Sequence, residues 1–401
     1  MAVERKIEEA YFEPYRQQIP AALKYVYMNS GGCGPMPVSV MKSMTDVFEK
    51  MVQEGQVNVI IHGCLKDYLE EIRKDAAAFV NAEPEEIFFV RCIAEGLNTI
   101  IRMFPWNAGE RILITDQENP ASILPCYTAE PILKTNTDVF SGIGNKEELI
   151  EQFCKKLYPD TKMSIMSHVF HTNGTAIPAK EMCREAKKRN VITVLDGAQA
   201  TGNIPVDVKE IGCDFYLFSC HKWLCGPEGI GAVYIRKELI PHLLVPFGGV
   251  GMQMDFDVAT HEIIYKPDAR RFEYGGRHIP MYAAFRETIR LADEIGMDRI
   301  REKTSALHDY CRSRMEEFGD RIKILSPKDE RLRTAIFAFQ IPGKDHRELV
   351  KRAWTEEQMI IQWRTINLET KEEGIRVSLN WFIRKEDVDR LITFVDRVLK
   401  E

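Results

Sequence analysis

The 10 cysteines of this 401-residue chain form no Cys-x-x-Cys pair. Scattered thiols of this kind are expected to be reduced, in a cytoplasmic protein. No apolar run reaches the roughly 20 residues that span a bilayer. The first residues, Met1-Ala2-Val3-Glu4-Arg5-Lys6, lack the apolar stretch of a secretory leader. A net charge of -6 gives no positive surplus for a phosphate backbone, which argues against a nucleic-acid partner. His168 and His171 form a His-x-x-His without any accompanying carboxylate or thiolate cluster, so no metal is expected. Internal repeats and low-complexity segments are missing too. What remains is an ordinary globular balance, 45% hydrophobic and 28% charged. The chain is too long for one ordinary core and long enough for one large domain plus a smaller one.

Two stretches organise it. Val194-Leu195-Asp196-Gly197-Ala198-Gln199 and Ser219-Cys220-His221-Lys222-Trp223 each close an apolar run, 191–195 and 214–218, that reads as a buried strand. Ligands gather at the carboxyl ends of strands in an α/β sheet, so a carboxylate on one end and a lysine just past the next face a common crevice. A lysine after a strand is by itself an ordinary solvated charge. Asp196 is less ordinary, because an unpaired carboxylate closing an apolar strand is costly. The pair suits pyridoxal phosphate, with Lys222 as the Schiff-base lysine and Asp196 keeping the pyridine nitrogen protonated.

With Gln199 three residues after Asp196, and Ser219 and His221 beside Lys222, these stretches resemble the class V aminotransferase family, whose pattern runs D-G-A-Q … S-x-H-K. The resemblance covers most of the chain from about Asn29. Ser219-Cys220-His221-Lys222-Trp223-Leu224-Cys225 looks most like the isopenicillin N epimerase branch, which includes β-lyases acting on cysteine conjugates. It implies a homodimer with shared active sites, holding pyridoxal phosphate and acting on a small amino-acid substrate.

The resemblance carries further residues with it. The Gly-rich segment from Met28 to Pro37, with Gly32 toward the substrate, is similar to one at the family's active-site entrance. Arg91-Cys92-Ile93-Ala94-Glu95-Gly96-Leu97-Asn98 keeps the frame of the family's phosphate turn without its hydroxyls. Ala94 and Glu95 would therefore reach a phosphate only through backbone amides at a helix N-terminus. Ser219 and His221 are phosphate donors, and Gln199 is a cofactor ligand. Asn119 stands where the family usually carries a ring-stacking histidine; an amide can lie on the ring but cannot be the acid or base. Asn173 fits the family's asparagine against the cofactor 3′-oxygen, or is a plain turn asparagine. Gly276 replaces a threonine that reaches the neighbouring subunit's phosphate. Arg277 beside it is either a charged phosphate or substrate ligand or a surface residue. Arg376, in Gly374-Ile375-Arg376-Val377-Ser378, resembles the arginine that grips the substrate α-carboxylate, for which its planar fork is suited. Arg364 is a lesser candidate for the same task.

The expected architecture is α/β: a large domain (29–280) with a mostly parallel, doubly wound sheet, a smaller α+β domain (281–401), and an N-terminal arm (1–28) joining the small domain. Large-domain strands are expected at 86–90, 111–115, 162–169, 191–195, 214–218 and 231–236. Those of the small domain lie near 322–325, 334–339, 359–363 and 375–379. Helices are expected at 38–52, 65–80, 94–103, 179–189 and 385–399, with loops at 29–37, 56–64 and 247–265 shaping the pocket.

Desulfurases of the family need a mobile nucleophilic cysteine near the carboxylate arginine. The last cysteine here is Cys311, and residues 361–378 carry none, which speaks against a persulfide-forming desulfurase. The expected reaction is β-elimination, cleaving the C–S bond of a cysteine-type substrate with Lys222 as base. The alternatives are an aminotransferase or amino-acid epimerase of the same family, and a catalytically silent fold relative acting as a binding partner. Retention of Asp196, His221, Lys222 and Arg376 together speaks against the last.

Overall fold

The computed structural model describes residues 8–62, 67–367 and 371–401. Seven strands form the central sheet: β1 (Ile87–Val90), β2 (Arg111–Thr115), β3 (Asn136–Phe140), β4 (Thr161–Ser167), β5 (Ile192–Asp196), β6 (Phe215–Ser219) and β7 (Gly231–Ile235). They lie in the order β1-β7-β6-β5-β4-β2-β3. All run parallel except β7, which is antiparallel to both neighbours.

Strands covered on both faces read as continuous apolar runs, and side chains alternate between the two cores. Phe88, Val90, Ile112, Val194 and Leu217 enter one core, and Ile87, Phe89, Leu113, Leu195 and Phe218 the other. Each such side chain contributes roughly 1.5–3 kcal/mol on burial. Helices Ile93–Arg102 and Pro120–Leu133 cover the first face; Tyr68–Phe79, Ala179–Lys187 and Ile279–Ile295 cover the second. The first helix lies close against the sheet because residue 96 is glycine. A Cβ there would stand 2.5 Å from Leu217 Cδ2.

A smaller antiparallel sheet, β8 (Lys323–Ile324), β9 (Ile336–Gln340), β10 (Gln362–Asn367) and β11 (Glu372–Ser378), has the order β8-β9-β11-β10. Helices Met297–Glu316 and Lys385–Lys400 share its core. The N-terminal residues Phe12, Ile19, Ala22 and Met28 are buried in the same core, and Val26–Tyr27 pairs in parallel with Met359–Ile360. Residue 281, where the small domain was expected to begin, lies inside helix Ile279–Ile295, whose Tyr282, Phe285 and Ile289 pack in the large core.

Several elements differ from the sequence expectations. β3 is an edge strand in which only Phe140 is buried, so it lacks the apolar signature of a strand. Residues 56–61 form a short helix, Gln56–Ile61, where a loop was expected; Gly55 at φ 83° separates it from helix Val38–Glu54. An exposed antiparallel hairpin, Gln253–Phe256 with Ile263–Tyr265, stands within the expected loop 247–265. The single strand expected at 359–363 is two, because Met359–Ile360 serves the N-terminal segment and Gln362 starts β10. The helix expected from residue 65 runs Tyr68–Phe79, and residues 65–66 lie outside the described residues.

Candidate active site

Strand register gathers the polar residues at one end of the central sheet. Ser167, Asp196 and Leu217 stand abreast on β4, β5 and β6. Ser219, Gly231 and Val90 stand abreast on β6, β7 and β1, and helix Ile93–Arg102 begins just past Val90. Asp196, the Lys222 segment and that helix N-terminus therefore share one crevice.

Asp196 is buried and held by two donors: Ser122 Oγ to Oδ2 at 2.9 Å, and the Ala198 amide to Oδ1 at 2.9 Å. Nearby, Glu118 accepts from the Ser167 amide at 2.8 Å and from Ser167 Oγ at 2.6 Å. Burial pushes the Glu118 carboxyl up to about 8; the Ser167 bonds oppose this, while Asp196 and Asp116 add to it.

Among the described residues, none makes a hydrogen bond or ion pair with the Lys222 amine. Burial holds that amine below the usual lysine range; Asp196 opposes the shift, and Arg376 and Arg364 add to it. The segment around Lys222 is clamped from above by the Gly-rich loop. The Gly34 amide donates to His221 O at 2.7 Å, and a Cβ on Gly34 would lie 2.1 Å from Lys222 O. Gln199 ties the same loop down: its Nε2 donates to Gly31 O at 2.8 Å while its Oε1 accepts from Trp223 Nε1 at 2.9 Å. Both of its amide atoms are engaged within the chain.

Arg376, on β11, is completely buried. Its Nη1 donates to His171 O at 3.0 Å and its Nη2 to Asn29 Oδ1 at 2.9 Å, while Nε has no partner among the described residues. Among those residues no carboxylate pairs with it. Burial pulls the guanidinium well below the usual arginine range, and Arg364 adds to the pull. Gln362 faces Arg376 across β10 and β11, and Arg364 follows two residues on, so both arginines share one face of the small sheet. His171 stands with them. Among the described residues its Nδ1 is buried without a partner, and its ring is driven down to about 3 by burial, then by Arg376, Arg364 and Lys222.

Several other expected residues are placed as follows. Ser219 Oγ is buried without a partner among the described residues. His221 is half-buried, and burial with Lys222 lowers its ring to about 4. Ala94 and Glu95 sit in the first turn of helix Ile93–Arg102, where backbone amides lack intrahelical acceptors. The Glu95 carboxylate folds back onto the Arg91 amide. Asn119 caps helix Pro120–Leu133, its Oδ1 accepting from the Ala121 amide at 2.9 Å. Asn173 Oδ1 accepts from the Thr175 amide at 3.0 Å, a turn contact. Gly32 turns over Asn29, its amide donating to Asn29 O at 2.9 Å. Gly276 has open space around it, and Arg277 stands 3.9 Å from Glu273. Both line a cleft of about 520 Å³ together with Arg91, Glu95 and His278.

Sequence reading assigned no site role to Ser122, Glu118 or His171. Asn119-Pro120 did announce a helix start, and Ser122 lies in its first turn. His171 was visible only as half of a His-x-x-His; its companion His168 instead points its Nδ1 at the Tyr216 hydroxyl, 3.0 Å away.

These groups fit the pyridoxal phosphate expected from the sequence. Among the described residues the lysine amine is unengaged and a buried hydroxyl near a helix N-terminus lacks a partner, while the carboxylate is oriented by two donors. A buried guanidinium that no described carboxylate neutralises completes the set.

Isopenicillin N epimerase from Amycolatopsis lactamdurans is 26% identical over 390 residues, covering 94% of this chain and 96% of the epimerase. An apo structure of a cysteine desulfurase from Thermococcus onnurineus NA1 superposes with a TM-score of 0.85 at 23% identity, covering 100% of both chains. A complex of the cystine C–S lyase C-DES with its product cysteine persulfide does so with a TM-score of 0.83 at 20% identity, covering 95% of this chain and 99% of that one. The sequence model of the aminotransferase class-V family matches residues 26–391, nearly the whole length, and the chain belongs to that family.

Proposed function

We propose that this protein is a pyridoxal-phosphate-dependent enzyme that cleaves the C–S bond of a cysteine-type amino acid by β-elimination. The observation that carries this reading is the buried Lys222 amine, which has no partner among the described residues and is acted on by both the Asp196 carboxylate and an Arg376 guanidinium that no described carboxylate neutralises.

Lys222 would carry the cofactor, and Asp196, oriented by Ser122 and Ala198, would hold the pyridine nitrogen's proton. Ser219 Oγ and the first-turn amides of helix Ile93–Arg102 would take the phosphate. When bound, the cofactor supplies an electron sink for the charge that develops on the substrate Cα. Arg376 orients the substrate by its α-carboxylate. Lys222, with its amine held below the usual lysine range, takes the Cα proton at Nζ. The loop 31–34 packs backbone to backbone on the Lys222 segment and would hold it in place during this step.

A desulfurase would need a thiolate near Arg376. Residues 361–378 contain no cysteine. An aminotransferase or epimerase is the alternative, the latter favoured by the 26% identity to isopenicillin N epimerase. Products separate them: pyruvate, ammonia and a sulfur species without added keto acid, against keto-acid-dependent amine transfer or inversion at Cα.

The proposal extends to a cytoplasmic homodimer with shared sites. Its support is the exposed apolar hairpin carrying Met254, Phe256 and Val258, and the cleft at Gly276 and Arg277. Among the described residues no helix is long and apolar enough to cross a membrane. Sedimentation of the holoenzyme tests the dimer.

A further inference from the structure

We infer that the substrate carries a second carboxylate besides its α-carboxylate, and that Arg364 binds it while Arg376 holds the first. The inference rests on the reading of this crevice as an amino-acid site.

Arg364 lies on the same face of the small sheet as Arg376, diagonally across β10 and β11. Among the described residues its side chain has no hydrogen bond or ion pair, and its Nε is buried without a partner. Burial pulls its guanidinium below the usual range. The register that sets Gln362 opposite Arg376 puts Arg364 on the same side of the sheet, and its charge lowers the pKa values of Arg376, His171 and Lys222.

Two acids of β11 are engaged elsewhere. Glu372 pairs with Lys323 at 2.6 Å and Glu373 with Arg347 at 2.6 Å. Asp196 is satisfied by Ser122 and Ala198 at the cofactor end, Glu118 is bonded to Ser167, and both histidines of the crevice, His171 and His221, are held neutral. The crevice thus presents two guanidiniums that no described carboxylate neutralises. One α-carboxylate fills one planar fork. Keeping a second, half-buried guanidinium beside the first is unfavourable unless an anion arrives with the ligand. In the cysteine series this describes an S-carboxyalkyl-cysteine rather than cysteine itself.

The test compares S-carboxymethyl-L-cysteine with its neutral amide, S-carbamoylmethyl-L-cysteine, on the holoenzyme. Binding is read from the change in the visible spectrum and turnover from pyruvate release. The acid is expected to bind about 10- to 100-fold more tightly than the amide, the range for hydrogen bonds to charged groups. Arg364→Gln is expected to abolish that preference, and Arg364→Lys to keep part of it. Equal affinities in the unsubstituted enzyme, or a preference that survives in Arg364→Gln, overturn the inference. Tighter binding of the acid without pyruvate leaves the inference standing and sinks the elimination reading. Equal pyruvate release from both compounds does the reverse.

Discussion

Ser122 Oγ donates to Asp196 Oδ2 at 2.9 Å, joining the helix that follows β2 to the end of β5. With Asp196 only 5% exposed, the Ala198 amide is the one other donor holding its carboxylate among the described residues. Ser122→Ala is therefore expected to weaken cofactor affinity about tenfold, or about 1.4 kcal/mol, the lower end for a hydrogen bond to a charged group. The cofactor dissociation constant checks this; an unchanged value contradicts it.

The Gly-rich loop and the lysine segment touch backbone to backbone, since a Cβ on Gly34 would stand 2.1 Å from Lys222 O. Backbone cannot rotate aside as a long side chain can. Gly34→Ala is expected to cost roughly 1–3 kcal/mol of stability, typical of overpacking. It should also displace the Lys222 amine, so activity falls further than melting temperature. A variant with native activity would show that the loop is not closed over Lys222 during turnover.

Arg376→Gln removes the fork but leaves an amide in the buried space. The expected result is a fall in kcat/KM of about 100-fold, mostly through KM, as hydrogen bonds to a charged group worth about 3 kcal/mol are lost. Arg376→Lys is expected to recover little, because a point charge does not reproduce the bidentate geometry. Steady-state kinetics with the melting temperature measured alongside decide this. A loss confined to kcat would place Arg376 outside substrate binding.

Glu118 gives stability a pH dependence of known sign. Its carboxyl keeps its proton to about 8 in the folded chain against an ordinary value of 4.5. The folded state binds the extra proton between those values, so this contribution is fully present below about 4.5 and is lost as pH rises through about 8. Glu118→Gln has no proton to lose. Its melting temperature relative to the unsubstituted protein is expected to rise between about pH 5 and pH 8.5. A difference that stays flat across that window contradicts the assignment.

The parts of the fold legible from sequence are those where one segment carries its own signal. β5 and β6 are apolar on both faces and end in polar residues, so the crevice at Asp196 and Lys222 was visible in the chain itself. β3 was not, because an edge strand reading Asn-Thr-Asp-Val-Phe needs few apolar residues. The reversal of β7 was signalled by the Gly226-Pro227-Glu228-Gly229 turn just before it. Within the site, the motif residues could be read, but Ser122 and His171 arrive from other strand ends. Only the β2-β4-β5 order and the docking of β11 bring them to Asp196 and Arg376.

The central claim is that Lys222 carries pyridoxal phosphate, and the visible absorption spectrum of the purified protein beside Lys222→Ala tests it most directly. A yellow absorption band in the unsubstituted protein, lost or shifted in Lys222→Ala, is the predicted result. A colourless protein that takes up no added pyridoxal phosphate would contradict the account and leave the binding-protein reading in its place.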